Sequence, residues 1–196
     1  MLNSFLTHLQ EGMYHVLNLG AYDHILFLIV LAIPYLFKDW KRVLMLVTVF
    51  TIGHSLSLVL ATYDVISVNN KLVEFLIPVT ILIVAVFNVF TSGKKAGNEK
   101  VGLLFFTTLF FGLIHGLGFA SAFESIVKSS ENKIVVLLEF ALGIEIGQLI
   151  VVFIVLFISF LCQTIFRFSK RDWVMVISAI VVGFLIPMLL RSEMIS

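Results

Sequence analysis

The chain has 196 residues, 60% of them hydrophobic and 13% charged, with a mean hydropathy of +1.12 and a formal net charge of +1. That composition excludes an ordinary soluble domain, where roughly half the residues are apolar. The near-zero charge excludes the basic footprint of a nucleic-acid-binding surface, which leaves lipid as the main partner.

The apolar runs are continuous rather than alternating, which predicts an all-α polytopic membrane bundle in a single domain, residues 1–196, rather than a β-barrel. In chain order, residues 1–20 mix Leu2, Phe5, Leu6, Leu9, Met13 and Leu17 with Asn3, His8, Gln10 and Glu11 at near-helical spacing. This predicts a short helix lying in the membrane interface, with His8 exposed. No Lys or Arg precedes Lys38, so the basic start of a secretory signal is missing and the first apolar segment is expected to remain as a span. That span is predicted at 23–37, extended upstream by 17–22, and it ends at Lys38-Asp39-Trp40-Lys41-Arg42, where tryptophan and cations suit an interface. Further spans are predicted at 43–63, 72–90 and 101–123. The run 134–166 is longer than lipid requires and is expected to tilt, protrude or break near Gly143 or Gly147, and a sixth span covers 173–190.

Nine of the thirteen basic residues fall in the first, third and fifth connections: Lys38, Lys41 and Arg42; Lys94, Lys95 and Lys100; Arg167, Lys170 and Arg171. Those loops are therefore expected in the cytoplasm, and six spans put both termini outside.

Within this frame, ionisable residues interrupt the apolar runs. Asp23 and His24 lead directly into the first of them, and His54, Glu74, His115, Glu139 and Glu145 follow. A charge at the centre of a membrane helix costs roughly 2.5–3.5 kcal/mol on insertion scales, so such residues face protein or water and acquire partners. Counting about 1.5 Å per helical residue puts all of them in the outer half of the bundle. Gly112 and Gly116 flank His115, the small-residue pattern that lets a second helix approach closely. A faint likeness relates the stretch from Thr48 to His54 to that from Thr108 to His115.

Imidazole and carboxylate without thiolate suit nickel, cobalt, zinc, manganese or iron(II), and the single Cys162 offers neither a disulfide nor a soft-metal cluster. Other readings stand beside a metal site. Asp23 has the position of a helix cap. His15 is placed equally well as a solvated interface residue. Glu74 and Glu139 lie where water begins, and a single His54 or His115 would serve as an interhelical hydrogen bond worth about 0.6–2 kcal/mol.

Four stretches carry a family resemblance: Gly12-Met-Tyr-His15 continuing to Gly20-Ala-Tyr-Asp23-His24; Phe50-Thr-Ile-Gly-His54; Phe111-Gly-Leu-Ile-His115-Gly-Leu-Gly-Phe-Ala120; and Phe140-Ala-Leu-Gly-Ile-Glu145-Ile-Gly-Gln148. Taken in order they resemble HupE/UreJ membrane proteins, in particular the second branch of that family. The resemblance implies a polytopic protein of the bacterial inner membrane linked to nickel or cobalt uptake. It implies metal contact for His15, Asp23 and His24, with His54, His115 and Glu145 as further motif residues. Glu74, Ser55 and Gln148 are expected as supporting groups around them.

Two functions follow. The first is a secondary permease in which the His/Asp/Glu cluster captures a divalent ion of the nickel or cobalt type. The alternative is an intramembrane zinc hydrolase acting on a lipid or lipid-linked substrate, with Glu145 or Glu139 moving the proton.

Overall fold

The computed structural model describes residues 2–66, 69–92, 101–127 and 132–194. The basic connection holding Lys94, Lys95 and Lys100 lies outside them, as does Lys128. The described residues contain no strand and form α1 (Leu2–Leu17), α2 (Asp23–Ala32), α3 (Trp40–Thr62), α4 (Asn70–Thr91), α5 (Val101–Val127), α6 (Lys133–Phe160) and α7 (Lys170–Leu190). A short 3₁₀ turn, Phe37–Asp39, precedes α3, and a π turn, Leu161–Ile165, extends α6. Side chains cap three of the helices: Asn69, Asn132 and Ser169 accept the amide hydrogens of Leu72, Val135 and Asp172.

Five stretches among the described residues are long and apolar enough to cross a membrane: Phe37–Thr62, Asn70–Thr91, Gly102–Val127, Lys133–Ile165 and Lys170–Leu190. They correspond to the second to sixth predicted spans. The first differs, because its helix α2 has only ten residues. Upstream, Asn18 stops the chain: its side chain accepts from the Gly20 amide and its carbonyl from Ala21. Downstream, Pro34 has no amide hydrogen with which to continue the helix.

The predicted N-terminal helix forms as α1, and it runs alongside α6. His8 meets Glu139, Gly12 meets Phe140 and Ile144, and Val16 meets Gly147, an equal advance along each helix, so the two are parallel. The physical reason is glycine. A Cβ on Gly12 would collide with the Phe140 carbonyl oxygen, and one on Gly143 with that of Leu9, so the backbones touch where hydropathy carries no signal. Accordingly α6 passes unbroken through Gly143 and Gly147, and its irregularity comes later, at the π turn. At about 1.5 Å per residue, α1 and α2 measure about 24 and 15 Å, each shorter than the roughly 30 Å hydrocarbon core of a bilayer.

A second parallel crossing joins α3 and α5. Gly53 abuts the Leu109 carbonyl, Gly112 the Phe50 carbonyl and Gly116 the backbone of His54. The close neighbour expected beside His115 is therefore α3. The likeness between the two His-bearing stretches is that of helices sharing one crossing. The two crossings run oppositely: the Lys133 ammonium lies over the Tyr63 ring where α6 begins and α3 ends, and Phe37 packs on Phe153 and Phe160 at the other end. α4 and α7 complete the bundle, with Lys71 and Glu193 paired at 2.8 Å where α4 starts and α7 stops.

Candidate metal centre

Between the two crossings, four imidazoles and one carboxylate converge. α1 supplies His15 and the head of α2 supplies Asp23 and His24, while α3 and α5 supply His54 and His115. Ring centroids lie 4.5 Å apart for His15 and His24, 5.4 Å for His15 and His54, 5.5 Å for His24 and His54, and 5.2 Å for His24 and His115. Two triads share His24: His15, His24 and His54, and Asp23, His24 and His115. In each, the potential ligand atoms fall within 4.8 Å of one another. His24, His54 and His115 are buried, and Asp23 is partly exposed.

The hydrogen bonds around these rings dictate which nitrogens are free. Asp23 Oδ1 accepts from the His24 amide at 2.9 Å and lies 3.1 Å from His24 Nδ1, which places a hydrogen on Nδ1 and a lone pair on Nε2. Thr80 gives its one hydroxyl hydrogen to the Ile77 carbonyl at 2.7 Å, so at 3.2 Å its oxygen accepts from His115 Nε2 and leaves the lone pair on Nδ1. Those two free atoms, His24 Nε2 and His115 Nδ1, are buried without a partner among the described residues, as are His15 Nε2 and both nitrogens of His54. Native interiors rarely leave so many buried polar atoms unsatisfied in one place, and a shared cation is the occupant that imidazole lone pairs fit.

Aromatic rings seal the cluster. Phe119 lies 3.9 Å from the His15 ring, Phe50 lies 5.2 Å and Phe27 5.4 Å from that of His115, and Phe140 lies 5.9 Å from that of His15. On one side a cavity of about 410 Å³ reaches the cluster; Gly20, Asp23, Glu74, Pro78, Met188 and Arg191 are among its lining residues. We refer to it as the vestibule. It opens at the end of the bundle where α4 begins and α7 ends.

The other expected site residues go elsewhere. Glu145 belongs to neither triad: Thr48 and Thr51 hydrogen-bond its carboxylate at 2.7 and 2.5 Å, and Thr51 also lies 3.0 Å from the Gln148 amide oxygen. This separate oxygen cluster joins α3 to α6. Ser55, half-buried, has no hydrogen-bond partner for its hydroxyl among the described residues. Glu74 is exposed on the vestibule wall. Glu139 pairs at 2.6 Å with His8, which is therefore a partly buried contact residue of α1. Sequence reasoning missed Thr80, whose only signal is a hydroxyl in an apolar run, and it missed the Phe50 and Phe140 walls.

No curated protein and no solved structure matches the chain. A family model described as HupE / UreJ protein matches residues 1–191, and the chain is accordingly an integral membrane protein of the HupE/UreJ family.

Proposed function

We propose that this protein is a secondary permease of the bacterial inner membrane that carries a divalent ion of the nickel or cobalt type through the His15, Asp23, His24, His54 and His115 cluster. The observation that carries the reading is the set of buried, unpartnered imidazole nitrogens facing one another. Four neutral nitrogens and one carboxylate suit nickel, cobalt and related borderline ions, and family membership favours the first two. The vestibule supports entry from one side, with Asp23 at its inner limit and Glu74 on its wall. The clustering of basic residues supports an orientation with both termini and the vestibule outside, the interrupted α1–α2 segment counting as the sixth crossing. Hydrolysis has less support, since Glu139 and Glu145, the two candidate bases, are engaged by His8 and by Thr48 and Thr51.

Proteoliposomes enclosing a metal-sensing dye test the reading. Nickel or cobalt influx above empty vesicles is expected, and it should disappear in His24→Ala and His115→Ala. Absence of influx for every divalent ion tried, from a protein that still binds metal, would remove transport from consideration.

A further inference from the structure

Two unrelated helix crossings have no reason to agree atom by atom, yet these two do. An offset of 100 residues carries α1 onto α5, with Gly12 falling on Gly112 and His15 on His115. One of 90 carries α3 onto α6, with Phe50 falling on Phe140 and Gly53 on Gly143. Under these offsets the contacts themselves map. Gly12 against the Phe140 carbonyl and Ile144 amide becomes Gly112 against the Phe50 carbonyl and His54 amide. Gly143 against the Leu9 carbonyl and Met13 amide becomes Gly53 against the Leu109 carbonyl and Leu113 amide. Val16 beside Gly147 becomes Gly116 beside Ser57.

The correspondence extends to the site and to the last helices. Phe50 beside His115 maps onto Phe140 beside His15. α4 maps onto α7 by 100: their capping residues are Asn69 and Ser169, and buried positions 78, 81 and 85 fall on 178, 181 and 185. Each mapped pair runs in opposite directions through the bundle. Among the described helices α2 has no counterpart, and it brings Asp23 and His24 to a site otherwise shared between the halves.

We propose that α1, α3 and α4 form one unit and α5, α6 and α7 its inverted copy, and that the ion leaves through the inverted counterpart of the vestibule. Inverted units around a central site and an interrupted helix are the architecture of carriers that open alternately to two sides. This inference rests on the permease reading and deepens it by assigning the exit. The vestibule residues Pro78, Met188, Arg191 and Ser192 map onto Ser178, Asn88, Thr91 and Ser92, between the far halves of α4 and α7. That path is shut. Asn88 donates to the Val30 carbonyl of α2 at 2.6 Å, Thr91 and Ser92 bond carbonyls of their own helix, and the Ser178 hydroxyl is fully buried with no hydrogen-bond partner among the described residues. The structure is thus open at one end, and the close backbone contact at the glycine crossings would let each pair move as a body.

The test pins the open end. Lys71→Cys and Glu193→Cys, both well exposed and outside the site, are bridged by a bismaleimide in a Cys162→Ser background. Bridging is expected to cut nickel or cobalt influx at least tenfold while leaving metal bound per chain unchanged. In a separate Ser178→Cys variant on the same background, an impermeant thiol reagent applied from the far side should react at least fivefold faster once metal is supplied on the vestibule side. Influx that survives bridging, or Ser178→Cys labelling indifferent to metal, overturns the exit and leaves the permease intact. No influx from the unbridged parent overturns the permease reading, and the exit with it.

Discussion

Thr80 illustrates how little chemistry is needed to aim a ligand. With its single hydrogen committed to Ile77, its oxygen fixes the His115 tautomer, as Asp23 does for His24. Such supporting bonds are worth about 10–100-fold in metal affinity. Thr80→Val should therefore weaken nickel or cobalt binding by about that factor in equilibrium titration, with the helical circular-dichroism signal unchanged. Glu139→Gln, by contrast, breaks only the contact with His8, and its metal content by elemental analysis should equal that of the parent. These assignments separate what sequence conveys at this scale from what it hides. Imidazoles at membrane depth announce a cost that something must offset, so the cluster was legible. Which acid serves it was not, because Glu145 and Asp23 are equally buried in apolar text and differ only in their neighbours: hydroxyls for one, imidazoles for the other.

Among the elements, the long apolar helices follow directly from run length, and their limits agree with the predicted spans to within about six residues. The packing of α1 against α6 was not legible, for a definable reason. Its buried stripe is Gly12 and Val16, and a glycine that exists to be touched contributes nothing to hydropathy. Substitution at such a position forces backbones apart, and overpacking of this kind costs about 1–3 kcal/mol. Gly143→Val should thus lower the thermal unfolding midpoint in detergent and deplete metal by displacing His15. Gly183→Val, where a side chain meets nothing within 4 Å, should leave both unchanged. The matched pair separates crossing geometry from a general intolerance of valine.

For the molecule as a whole, the site joins side chains from His15 to His115, so an ion there would tie α1, α2, α3 and α5 together. A ligand that binds only the folded state stabilises it by about 2.7 kcal/mol at a hundredfold excess over Kd. Nickel or cobalt should accordingly raise the unfolding midpoint of the parent, and His54→Ala should lose that gain while unfolding near the metal-free parent value. Asp23 is the one carboxylate in the two triads found among the described residues. On the permease reading, neutral imidazole ligands and one carboxylate would give the centre one negative charge without its ion and one positive charge with a dication. Self-energy in a poorly polarisable medium grows with the square of the charge, so the laden and the returning form of such a carrier would meet barriers of equal electrostatic height. A second acid would make the laden form neutral and the returning form doubly charged, trading throughput for retention; under the proposed function, one acid among imidazoles favours letting go.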